Sequence, residues 1–193
     1  MIDALPQSIT EPADLAYVKT HFVELPRLAH AAGQTVEDVY REIALGLRPR
    51  PAYVLDGAAF VGEHYFEDVY GHADFCKRYL SECGRQGLAR NSTDALDAWE
   101  SFLSGIFAVC LYRATPENIA RKESLIARID DLVREPGPGD SAWVASLAAA
   151  VDDLDALERP FSPIFDRRRF GRPPSRDRYV NDVRQRFLQR QGT

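Results

Sequence analysis

Signals that start and stop helices recur along the chain, and from about Glu63 onward they leave room for little but helices. Asn91-Ser-Thr-Asp opens a long helix over Ala95–Tyr112, whose second half is apolar nearly all round and is therefore expected to be central. Thr115-Pro116-Glu117 opens another, with the threonine as cap and proline in the first turn, where its missing N–H costs nothing. Ile119, Leu125, Ile126, Ile129, Leu132 and Val133 give that helix a core stripe. Glu135-Pro-Gly-Pro-Gly-Asp140 is a break, and Ser141 starts a helix through Trp143, Leu147, Val151, Leu154 and Leu157. Tyr65–Cys83 reads as amphipathic helix with a break near Gly71. Arg159–Pro174 reads as an irregular loop, and Ser175–Arg190 as a last helix capped by Ser175.

The first 65 residues form a different unit. Thr10-Glu11-Pro12 starts a helix carrying Leu15, Val18 and Phe22 at helical spacing. A short helix over Leu25–Ala32 ends at Gly33, a left-handed position. Thr35 caps a third, Val36–Leu45, with Val36, Val39, Tyr40 and Ile43 on one face. Asp56-Gly57 lies between two apolar runs and predicts a tight hairpin, because a type I′ turn needs positive φ at both central residues. The expected fold is therefore mainly α: an N-terminal helix-turn-helix-like module with one small β-hairpin (residues 1–65), then a helical body (residues 66–193) with an arginine-rich C-terminal loop and helix.

Charge is unevenly spread. Residues 159–193 hold ten arginines against three acidic side chains, whereas the preceding residues hold fourteen basic and 26 acidic ones. Such a tail either neutralises an acidic body or holds anions, since the planar guanidinium binds carboxylate or phosphate bidentately. The 21 arginines against three lysines also fit a GC-rich coding sequence. Three cysteines without a CxxC pair fit a reducing compartment. The N-terminus shows no export signal, and the longest apolar run, Phe102–Tyr112, is far below the roughly 18 residues of a membrane span. The expected location is the cytoplasm, without membrane partners.

The N-terminal pattern, Glu24-Leu-Pro-Arg-Leu-Ala-His-Ala-Ala-Gly-Gln-Thr-Val-Glu-Asp-Val-Tyr-Arg-Glu42 with the Asp56-Gly57 wing, resembles the winged helix-turn-helix of MerR-type regulators. Charge argues against DNA: residues 1–65 carry five basic and nine acidic side chains, and the would-be reading helix has Glu37, Asp38 and Glu42 against Arg41. Packing or dimerisation is the plainer use of the module. His64, His72, Cys76 and Cys83 match no closed zinc site, and Cys110, in an apolar helix, reads as an inert thiol. No phosphate loop, nucleophile elbow or dinucleotide fingerprint is present, so neither metal nor cofactor is expected.

A second resemblance spans most of the chain. Ala52-Tyr-Val-Leu-Asp-Gly with Tyr65-Phe66, Trp99, Leu103-Ser104-Gly105, Val109-Cys110-Leu111, Thr115-Pro-Glu-Asn-Ile-Ala-Arg-Lys122, Leu154-Asp-Ala-Leu-Glu-Arg-Pro-Phe161, Arg169-Phe-Gly and Ser175-Arg-Asp-Arg178 resemble an uncharacterised bacterial family of natural-product biosynthesis proteins. That resemblance implies a biosynthetic setting and no mechanism. The expected function is a cofactor-independent enzyme or binder for a small anionic or zwitterionic substrate. The alternatives are a MerR-like regulator sensing a metabolite, or a helical accessory protein of a partner enzyme; a homodimer fits either.

The site is expected where the helix Thr115–Lys122, the end of the central helix and the loop Arg159–Arg178 meet. Glu117, Asp177 and Tyr112 are the candidate proton-transfer groups. Arg121, Arg176, Ser104, Asn118 and Arg159 are the candidate substrate-binding residues, Arg121 and Arg176 because each lies in a first helical turn beside amides that also favour anions. Arg167 and Arg168 are expected to be solvated.

Overall fold

A computed structural model describes residues 11–189. The chain is mainly helical: α1 (Pro12–His21), α2 (Leu25–Ala31), α3 (Val36–Ala44), α4 (His72–Arg85), α5 (Ser92–Leu103), α6 (Ile106–Cys110), α7 (Pro116–Arg134), α8 (Ser141–Leu157) and α9 (Phe165–Phe170). Two π-helical stretches, Asp177–Asn181 and Arg184–Leu188, follow. The strands are β1 (Val23–Glu24), β2 (Tyr53–Leu55) and β3 (Ala58–Val61).

Local chemistry explains most boundaries. Thr35 Oγ1 accepts from the Asp38 amide, and Thr115 Oγ1 accepts from the Asn118 amide with Pro116 next to it. Asn91 and Asp94 form a reciprocal capping box at α5. The hairpin turn has φ of 48° at Asp56 and 82° at Gly57, as a type I′ turn requires. The sheet is larger than a hairpin, because the extended step between α1 and α2 adds β1 to the far edge of β3, with Val23 opposite Val61. The expected cap Thr10 and the expected last helical residue Arg190 lie outside the described residues; α1 begins behind Glu11.

Four boundaries differ from the sequence reading. Residues 63–67 form turns, with the Glu67 and Asp68 amides both donating to the His64 carbonyl at 3.0 Å, and the helix starts only at His72 behind Gly71. The expected helix Ala95–Tyr112 is split into α5 and α6 at Gly105, which adopts φ of 80°. A side chain there would run into the Arg50 carbonyl, and Arg50 N donates to Leu103 O at 2.9 Å. The bend thus lets residues 48–51 cross the end of α5. In the loop after Arg159 lies α9; Ser162 Oγ accepts the Asp166 amide at 2.9 Å, but Ile164 at the N-cap has no capping side chain. Asp14 of α1, 1% exposed, supplies one by accepting the Ile164 and Phe165 amides at 3.0 Å each. Ser175 is not a cap; its hydroxyl is held by other side chains, as set out below.

In the body, α7 lies between α4 and α8, and α4 also packs on α5. One apolar cluster joins Phe75, Trp99, Phe102, Leu111 and Ile119; another joins α7 and α8 to Val180 and Val183. A third contains Tyr17, Phe22, Tyr53 and Phe60 of the N-terminal module together with Val109 and Phe165. Two arginines of the tail meet acidic residues of α8: Arg184 pairs with Asp152 and Asp155, and Arg176 with Asp155.

Candidate functional site

The apolar stripe of α7 is interrupted at one position. Lys122 follows Ile119 by three residues and precedes Leu125 and Ile126 by three and four, so its stem enters the core and the residue is only 9% exposed. An unpaired cation there would cost several kcal/mol. Glu158, fully buried at the end of α8, meets it, with Lys122 Nζ 2.7 Å from Glu158 Oε1. Ser175 completes the group. Lys122 donates to its hydroxyl at 3.0 Å, and the hydroxyl donates to Glu158 Oε1. Glu158 Oε2 accepts no hydrogen bond among the described residues. Burial pulls the Lys122 ammonium down, but the Cys110 sulfur, once ionised at alkaline pH, and the Glu158 carboxylate beside it more than offset that and hold it above the ordinary lysine range. Burial pushes the Cys110 thiol up, against the pull of Lys122, so the sulfur stays protonated at neutral pH.

Lys122, Cys110 and Ser175 form the polar floor of a cavity of about 430 Å³. That volume lies within the range of small-molecule sites. Its walls are apolar: Ile106 and Phe107 from α6, Ile126 from α7, and Phe161 and Phe170 from the loop around α9. Arg172, Arg178 and Tyr179 stand at the rim. Arg172 is exposed and makes no ion pair among the described residues, while Arg178 stacks on the Tyr179 ring at 4.8 Å and reaches Asp130 only at 3.9 Å. Gly171, at φ of 61°, ends α9 and turns the chain into Arg172-Pro-Pro. Arg178 and Tyr179 both belong to the first π-helical stretch. Such stretches are less well bonded than α-helix and recur at functional sites, and this one sets two consecutive side chains on one cavity.

The three segments expected to meet do line this cavity, but mostly through other residues. Glu117 turns away to Arg78, 2.7 Å from Nε; burial raises its pKa, and Arg78 with the capping bonds outweighs that and lowers it. Asp177 faces Arg167 at 2.7 Å on the surface. Arg121 lies one residue out of phase with the stripe and sits 3.4 Å from Asp153 in solvent. Arg176 is spent on Asp155 and on the carbonyls of Asp155 and Glu158. Asn118 donates to Arg113 O, and Ser104 to Ser101 O. Tyr112 and Arg159 line a separate cavity of about 30 Å³, room for a water molecule. Arg159 is buried and donates to the carbonyls of Leu111, His21 and Tyr112, stacked against Phe22 at 4.8 Å. It holds the α6 exit to α1, with Nε, Nη1 and Nη2 each committed to a backbone carbonyl. Arg167 and Arg168 are solvent-exposed, 62% and 65% in their side chains.

Sequence reasoning passed over Lys122, Cys110, Ser175 and Glu158 as a group. One signal was available: a lysine in the apolar phase of a helix must find a buried partner. Among the described residues, no three His, Cys, Asp or Glu side chains gather to hold a metal, and no helix is long and apolar enough to cross a membrane.

Residues 72–188 match the family of unknown function DUF6058, and the chain belongs to that family. The matched span runs from the first residue of α4 to the end of the last π-helical stretch and contains every residue that lines the cavity. Comparison with curated proteins gives no match, and neither does comparison with solved structures.

Proposed function

We propose that this chain binds a small molecule with an apolar body and an anionic group in the cavity between α6, α7 and the α9 loop. We propose further that it acts on that molecule as a cofactor-independent protein of specialised metabolism, the setting implied by the sequence resemblance. One observation carries the reading: the cavity divides into apolar walls, a charge-balanced floor and a rim of two weakly paired arginines. Lys122 is already neutralised by Glu158, so a second anion has little to gain at the floor. Arg172 and Arg178 are the cations still able to take one. Regulation through DNA has less support, because the one basic residue of α3, Arg41, is held by Asp38 at 2.6 Å.

The test is a binding panel: 1-anilinonaphthalene-8-sulfonate (ANS), then aromatic and aliphatic carboxylates against amines of the same shape. Acids are expected to bind and to raise the melting temperature by mass action. Replacing Arg172 and Arg178 together by Ala is expected to weaken acid binding about tenfold, the worth of roughly 1.4 kcal/mol of exposed charge pairing. Ile126→Trp fills the cavity and is expected to abolish binding. Equal binding of acids and amines, or unchanged binding by Ile126→Trp, would refute the reading.

A further inference from the structure

We propose that Ser175 is a nucleophile for acyl transfer, with Glu158 as its base and Lys122 as the group that positions both. This deepens the cavity reading and rests on it. The signature of an activated hydroxyl is a nucleophile hydrogen-bonded to a base that a third group orients. Here the Ser175 hydroxyl donates to Glu158 Oε1, and Lys122 Nζ lies 2.7 Å from that oxygen and 3.0 Å from the hydroxyl. Ser175 is the member of the three that is half-exposed, and it lines the cavity, whereas Glu158 is reached only through it and Lys122. A purely structural pair would not need the hydroxyl at the cavity surface, because Lys122 and Glu158 already satisfy one another's charge.

The backbone supports the same chemistry. The Arg176 and Asp177 amides precede the first backbone bond of their turn, Arg178 N to Pro174 O at 3.2 Å, and are first-turn donors without helical acceptors. They follow the nucleophile directly in the chain, and amide donors at the positive end of a helix are the kind of group that stabilises an oxyanion derived from a carbonyl.

The substrate class is a carboxylic ester or thioester with an apolar acyl part and an anionic group at the Arg172–Arg178 rim. In the first step Ser175 Oγ bonds to the carbonyl carbon and its proton passes to Glu158. The bond from that carbon to the leaving oxygen or sulfur breaks, and the leaving atom takes the proton back from Glu158. Water then attacks the acyl-serine, giving its proton to Glu158, and the carboxylic acid departs as the proton returns to Ser175 Oγ. Nothing is oxidised or reduced. A hydroxyl or amine in place of water makes the same site a transferase. Cys110 takes no part, since its thiol stays protonated.

The experiment is labelling with a fluorescent alkyl fluorophosphonate, read by intact mass and peptide mapping. It is run beside ANS binding and hydrolysis of p-nitrophenyl butyrate. The wild-type chain is expected to gain one label on the peptide containing Ser175, and Ser175→Ala to lose both labelling and hydrolysis while still binding ANS. Glu158→Gln is expected to slow labelling by about 10²-fold or more, as for loss of a general base, with circular dichroism reporting whether it stays folded. An unlabelled wild-type chain that binds ANS overturns the nucleophile and leaves the cavity reading standing. Failure of ANS as well overturns both. Labelling that survives in Ser175→Ala, or proceeds at the wild-type rate in folded Glu158→Gln, also overturns the proposal.

Discussion

Lys122→Met removes the cation of the buried pair while nearly preserving side-chain volume, so it isolates charge from packing. Glu158 is left fully buried with its charge unmatched, and breaking such a pair from one side costs about 3–5 kcal/mol. Two features place the expected loss near the lower end. Ser175 still donates to Oε1, and the floor of the cavity is open to water on the Lys122 side, where the side chain is 11% exposed. About 3 kcal/mol corresponds to a fall of roughly 6–12 °C in melting temperature for a chain of this size. Adding Glu158→Gln removes the orphaned charge and keeps an acceptor for Ser175. The double variant is therefore expected to be more stable than the sum of the single losses by about 2 kcal/mol. Urea unfolding of the four proteins closes the cycle. The pH dependence supplies a sign: the folded-state pKa of Lys122 is raised, so the pair's contribution is complete below the ordinary lysine value of 10.5 and is lost as pH climbs through the raised one. Lys122→Met is expected to lack that alkaline loss. A single-variant cost under about 1 kcal/mol, the range of exposed pairs, or strictly additive losses would refute the claim that this charge is buried and matched.

The remaining predictions concern positions that shape the site. Gly105→Ala is expected to cost about 1–2 kcal/mol for the left-handed backbone alone, and more for the overlap with the Arg50 carbonyl; a loss below about 0.5 kcal/mol in urea unfolding would count against the bend. Asp14→Ala strips the cap from α9 and is expected to cost about 2–3 kcal/mol, with faster hydrogen exchange at the Ile164 and Phe165 amides. Unchanged exchange there would show that the cap comes from elsewhere. Arg121→Ala is expected to change stability by no more than about 0.5 kcal/mol and to leave ANS affinity as it was, because its pair with Asp153 is solvated; weaker ANS binding would return Arg121 to the site.

Sequence alone determined the features whose cause lies within about four residues. The capping box of Asn91 and Asp94, the Thr115-Pro116 start, the Thr35 cap and the Asp56-Gly57 turn are each made by neighbours in the chain, so each is legible without knowing the fold. The stripe of α7 belongs with these, and it already carried the sign of a buried lysine. Tertiary structure decided the rest because the partners are distant. Whether the run from Ala95 to Tyr112 stays one helix depends on the Arg50 backbone crossing at Gly105. Where the segment after Arg159 turns into α9, the Ser162–Asp166 pair is local, but the Ile164 and Phe165 amides are satisfied by Asp14, some 150 residues earlier. The arginines of the tail look equivalent in the sequence, yet one is buried among carbonyls, several are matched by acidic residues, and Arg172 and Arg178 stand over a cavity. Long-range electrostatics sorted them, since each cation settles where carboxylates and carbonyls from other elements happen to converge, and no local rule encodes that convergence.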